Sequence, residues 1–171
     1  MVLCVDDAGV AAPKREEVEA FVEELRTEGF DLKIEGDFTK YLGIGIEELD
    51  DGTRHMTQKG LIDKIIKNTK MTGCNPNKTP TTQIPLGSDA DGEDCNNAQW
   101  NCASTVGMSL CVSNNTQPDI TCAVSQVARF TAKPKMSHVK AIKTIVRCLR
   151  KDADKEIVVR PDGTHNVKCW A

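Results

Sequence analysis

Apolar positions along the chain recur with two periods, and these predict a mixed architecture. Val18, Phe21, Val22 and Leu25 fall at i, i+3, i+4 and i+7, with Gly29 following as a stop, so residues 14 to 28 predict a helix. Leu61, Ile62, Ile65 and Ile66 predict a second helix from Gln58 to Lys70, capped by Thr57 and ended by Gly73. Three more helices are expected at 98 to 113, 118 to 132 and 137 to 151, with Pro118 at a first helical position and Ser137 as an N-cap. Short β-branched runs supply the strands. Val2 to Val5 and Ala8 to Ala12 flank Asp6 and Asp7, a hairpin with carboxylates at its tip. Phe38 to Glu48 and Thr53 to Gln58 flank Asp50-Asp51-Gly52, where Asp-Gly suits the positive φ of a tight turn. A last hairpin is expected from Glu156 to Arg160 and Val167 to Trp170, around Pro161-Asp162-Gly163. Residues 73 to 97 are rich in proline and turn formers and show no period, which reads as a long surface connection. The fold class is α+β, without internal repeats.

Composition narrows the class further. The chain has 171 residues, about one domain's worth, of which 39% are hydrophobic and 27% charged. No apolar run approaches the ~18 residues of a membrane span. MVLCVDDAGV has no basic n-region and does not read as a secretory signal, so an intracellular chain, cytoplasmic or nuclear, is expected. Of the eight cysteines no two are two to four residues apart, the spacing by which one tight turn delivers two ligands to zinc. No zinc site is expected, and Cys111, Cys122 and Cys148 read as small core hydrophobes.

The net charge of −3 conceals a segregation. Residues 1 to 53 hold 15 acids and 5 bases, whereas Ile120 to Lys151 hold eight bases and no acid. Residues 54 to 78 repeat the basic bias, with six bases against Asp63. At 100° per residue, Lys140, Lys143, Arg147, Arg150 and Lys151 share one arc of the last helix, and Val139, Ile142, Ile145, Val146 and Leu149 the opposite arc. One face packs, and the other could meet a polyanion or simply be solvated. His138 reads as a surface or packing residue, and His55 and His165 lack partners that would make them catalytic.

Adjacent carboxylates repel unless a cation neutralises them, and hard dications such as Mg²⁺ take one or two carboxylates together with substrate phosphates. Asp6-Asp7 is therefore either half of a two-metal phosphoryl-transfer site or a solvated turn.

The order of motifs resembles the reverse transcriptase of copia-type retrotransposons. There a Tyr-Val-Asp-Asp hairpin and a helix precede "MKDLGEASYFLGIEI" and "QKGYI". Here Cys4-Val5-Asp6-Asp7 precedes FDLKIEGDFTKYLGIGIE at 30 to 47 and QKGLIDKII at 58 to 66. The family's "TRPDIAYAVSxLSRF" and "HxxAxKRILRYLKGT" are similar to TQPDITCAVSQVARF at 116 to 130 and HVKAIKTIVRCLRKD at 138 to 152.

The resemblance implies that Asp6 and Asp7 are catalytic carboxylates and ligands of Mg²⁺ or Mn²⁺, and that the basic helix faces a primer-template of RNA and DNA. Cys4 stands where the family usually has tyrosine, which weakens an inferred contact to the primer end. It further implies residues 1 to 56 as the end of a polymerase palm, 57 to 97 as a thumb helix and long loop, 98 to 152 as helical thumb or connection, and 153 to 171 as the first hairpin of a ribonuclease H-like domain. The upstream aspartate strand of the palm and the "DADWAG" opening of ribonuclease H are missing, so a fragment inactive by itself is expected, whose partners are the missing palm and ribonuclease H segments, with no membrane. A non-catalytic interaction module, or a decayed retroelement remnant, is the alternative.

Overall fold

A computed structural model of the chain describes residues 2–4, 7–10, 12–34, 39–81, 85–95 and 101–161. It divides into two compact units, Met1–Leu42 and Gly43–Ala171.

In the first unit, β1 (Val2–Cys4) and β2 (Asp7–Gly9) pair antiparallel with Val2 opposite Gly9, Leu3 opposite Ala8 and Cys4 opposite Asp7. Helix α1 (Arg15–Thr27) follows, and Gly29 at φ +93° allows its C-terminal turn. The predicted stripe of Val18, Phe21, Val22 and Leu25 is the half-buried side of α1, and none of the helix's residues is fully buried. A two-residue strand, β3 (Lys40–Tyr41), ends the unit.

The run expected from Phe38 to Glu48 is, over its described residues 39–48, not one strand. Leu42 and Gly43, at φ +49° and +78°, turn the chain after β3, and β4 (Ile44–Glu48) starts anew. Its partner β5 (Arg54–Thr57) returns through the predicted Asp-Gly turn, where Gly52 sits at φ +77° and Asp51 Oδ1 accepts the Thr53 N–H at 2.9 Å.

The helical part of the second unit comprises α2 (Lys59–Asn68), α3 (Cys102–Asn115), α4 (Thr121–Ala128) and α5 (Met136–Lys151), with a 3₁₀ turn, Pro118–Ile120, leading into α4. They pack around Ile62, Ile65, Val112, Ile120, Val124, Ile145, Val146 and Leu149, all at most 2% exposed. Each predicted helix is present with shifted ends. Pro118 takes the first position of the 3₁₀ turn, where a missing N–H costs nothing. Ser137 is not the cap of α5. The helix starts one residue earlier, and the Lys135 N–H is accepted by His138 Nδ1 at 2.9 Å.

Two elements add to the sequence reading. The described residues of 73 to 97 are mostly exposed, as the expected surface connection requires, and they are also tied down. The Asn77 N–H donates to Arg147 O, the Leu86 N–H to Gln126 Oε1 at 3.2 Å, and the Met136 N–H to Glu93 O, so the segment is a strap fastened along α4 and α5. The last strand, β6 (Ile157–Val159), pairs antiparallel with β5, placing Arg54 opposite Val159 and Met56 opposite Ile157. The sheet of the second hairpin therefore takes in the chain leaving α5. Val167 to Trp170, the expected partner of this strand, lie outside the described residues. Among the described residues no helix is long and apolar enough to cross a membrane.

Candidate carboxylate hairpin and nucleic-acid interface

Of the two candidate metal ligands, Asp7 opens β2 opposite Cys4, and Asp6 lies outside the described residues. Two adjacent carboxylates form a hard oxygen donor set that suits Mg²⁺ or Mn²⁺ if waters and phosphates complete it. Among the described residues no three His, Cys, Asp or Glu side chains converge into a set that could hold a metal ion.

The basic helix has the two faces its periodicity predicts. Val139, Ile142, Ile145, Val146 and Leu149 are buried, together with His138 and Cys148. On the other arc Lys140 and Lys151 are exposed, and Lys143, Arg147 and Arg150 are half-buried.

The five charges are not equivalent. Lys151 Nζ lies 3.7 Å from a carboxylate oxygen of Asp152, and Arg147 Nε donates to Asn75 O at 2.6 Å. Lys140, Lys143 and Arg150 have no ion pair among the described residues. Other lysines are spoken for. Lys59 pairs with Asp154, Lys135 with Asp94 at 2.7 Å, and Lys155 with Asp119 at 2.7 Å and Asp152 at 3.0 Å. Hydrogen bonds from Lys155 to the Asp119 and Asp152 carboxylates raise its pKa above the usual lysine value.

Several motif residues prove to be structural ties. The Thr116 hydroxyl donates to Gln58 Oε1 at 3.0 Å, joining the QKG segment to the TQPDI segment. Gln117 Nε2 donates to Asp152 O at 2.7 Å, joining the latter to the end of α5. Both glutamines are 1% exposed. Their amides satisfy buried polar groups across elements whose adjacency sequence spacing does not reveal.

His138 is a packing residue, wholly buried, with Nδ1 accepting from Lys135 and Nε2 at 2.9 Å from Gly87 O. His55, in contrast, has a partner after all. Its Nδ1 lies 2.5 Å from Glu156 Oε2, a consequence of β6 lying beside β5. His165 is outside the described residues. Cys148 lies in the core as expected and Cys111 is half-buried, but Cys122 is exposed.

Residues 1–83 match the family described as reverse transcriptase (RNA-dependent DNA polymerase). A Saccharomyces cerevisiae protein named for transposon Ty5-1 is 27% identical over 146 residues, covering 85% of this chain and 46% of its own length. The retrovirus-related Pol polyprotein from transposon TNT 1-94 of Nicotiana tabacum is 27% identical over 159 residues, covering 88% of this chain and 12% of the polyprotein. This chain thus spans less than half the length of either relative. No solved structure matches it. The motif order and these matches agree in what the chain is similar to, the reverse transcriptases of retrotransposons.

Proposed function

We propose that the chain contributes the Asp6-Asp7 hairpin and a duplex-holding helical region to an RNA-directed DNA polymerase. The observation that carries this reading is the match over residues 1–83, which contains Asp6 and Asp7 and the β1–β2 pairing with Asp7 opposite Cys4. Asp6 and Asp7 hold Mg²⁺ or Mn²⁺, which supplies charge neutralisation at the transferred phosphate in two-metal nucleotidyl transfer. The chain's own task there is to supply two adjacent carboxylates.

The half-covered stripe of α1 fits a piece that packs against further palm structure, because apolar side chains left part-exposed in water favour a partner surface. The unpaired cations of α5 fit a role in holding primer-template by its phosphates, which is independent of base sequence. Residues 153 to 171 fit the opening of a ribonuclease H-like segment. The 171-residue chain alone does not polymerise in this reading, since the palm's remaining carboxylate is needed to hold both ions.

Primer extension on an RNA template with Mg²⁺ tests the proposal. The expected result is no incorporation by the 171-residue chain, and incorporation by a longer chain carrying the upstream aspartate strand that Asp6→Asn abolishes. Extension by that longer chain unaffected by Asp6→Asn and Asp7→Asn overturns the assignment.

A further inference from the structure

Residues 64–88 contain four lysines, Lys64, Lys67, Lys70 and Lys78, and no Asp or Glu, and Ile120 to Lys151 contain eight bases and no acid. These segments are far apart in sequence, and the strap brings part of the first onto the second. Arg147 makes the junction from both ends. Its Nε donates to Asn75 O at 2.6 Å, and its backbone carbonyl accepts the Asn77 N–H at 3.1 Å. One residue on, the Cys148 thiol lies 4.0 Å from Lys78 O. The strap's own shape is fixed locally, with Asn77 Oδ1 accepting the Lys78 N–H and Asn77 Nδ2 donating to Thr79 O, both at 3.0 Å. Lys78 is thereby held exposed beside the basic arc of α5, without an ion pair among the described residues.

We infer that the strap forms a second wall of the phosphate-binding surface, with Lys78 as a phosphate contact and Arg147 as the residue that positions it. The inference rests on the duplex-holding role proposed above and extends it from one helix face to a two-sided surface. The strap thus adds Lys78 to a segment, Ile120 to Lys151, that holds eight bases and no acid in its sequence, and a bound polyanion would relieve the repulsion among these like charges. Arg147, half-buried and donating to a backbone carbonyl, fixes the strap in place.

Fluorescence anisotropy of the 171-residue chain with a labelled RNA–DNA hybrid across a salt series tests this. Lys78→Gln should flatten the log-log salt dependence by about 0.9, one phosphate contact on a duplex, at unchanged thermal midpoint. Arg147→Gln should weaken binding, speed proteolytic cleavage between 73 and 81, and make a further Lys78→Gln change nearly silent, while Arg147→Lys restores part of both. A salt slope unchanged by Lys78→Gln, in a chain whose slope does fall in Lys140→Gln/Lys143→Gln, overturns the two-walled surface and leaves the helix face standing. Absence of hybrid binding by the wild-type chain overturns both.

Discussion

The imidazole of His138 lies parallel to the ring of Phe130, with centroids 4.3 Å apart and planes 4° from parallel. Its Nδ1 accepts the Lys135 N–H and its Nε2 lies 2.9 Å from Gly87 O, so both edges are used while one face is stacked. The ring therefore pins three things together: the start of α5, the end of α4 and the strap. His138→Ala should lower stability by about 2 to 4 kcal/mol, from the cavity and the two backbone groups left unpaired. His138→Phe, which keeps the stack and loses the hydrogen bonds, should fall between wild type and alanine. Urea midpoints of the three proteins check the order, and equal midpoints for His138→Ala and wild type would refute the pin.

How much of this was legible follows from what sequence periodicity encodes. The two faces of α5 were readable, because Val139, Ile142, Val146 and Leu149 report their own burial through spacing. The Gly52 turn was readable because few residues other than glycine accept φ +77°. The turn at Leu42 was not, since a leucine at φ +49° carries no signal in its residue type. Likewise the bonds from His138 to Gly87 and from Arg147 to Asn75 join residues 51 and 72 positions apart, and periodicity says nothing about such partners. Asp6 and Asp7 were proposed through motif order, and the structure adds only that Asp7 stands opposite Cys4.

Gln58 and Thr116 provide a second test, because each satisfies the other. Both are at most 4% exposed, and the bond between them is 3.0 Å. Gln58→Leu should cost about 1 to 3 kcal/mol by leaving the Thr116 hydroxyl unpaired in the interior. Adding Thr116→Val should recover part of that loss, giving a favourable coupling energy of about 0.5 to 3 kcal/mol in a double-mutant cycle. Strict additivity in denaturant titrations would mean the two side chains do not act as a pair.

The cysteines should differ sharply in reactivity. Burial, with the Cys95 thiol 3.5 Å away, pushes the Cys102 thiol up to about 12, and burial followed by the nearby Asp152 charge raises Cys148 as well. The thiolate is the reacting species, so these two should be silent at neutral pH while exposed Cys122 reacts. Labelling with a disulfide reagent, read by peptide mass mapping, should modify Cys102 and Cys148 only on unfolding. Modification of Cys102 as fast as Cys122 in the native protein would contradict this.

Asp94 and Lys135 close the far end of the strap, paired as a β-bridge and joined by an ion pair of 2.7 Å. The hydrogen bond from Lys135, with its charge, holds the Asp94 carboxyl below the usual 3.8. A carboxylate with a depressed folded pKa contributes stability that is present above its unfolded value and lost as pH falls through its folded value. The contribution should therefore be complete at neutral pH and vanish in strong acid, below the ordinary aspartate range. Lys135→Met should return Asp94 toward 3.8 in a carboxyl NMR titration and lower the urea midpoint at pH 7. The same substitution should make a smaller difference in strong acid, once the pH has fallen through the folded pKa of Asp94. Because the Asp94 side chain is 68% exposed, added salt should also narrow the gap at pH 7 by screening the pair. A gap that is unchanged by acid and by salt would assign the Lys135 effect to the packing of its stem, whose side chain is only 12% exposed, and remove the ion pair from the fastening of the strap.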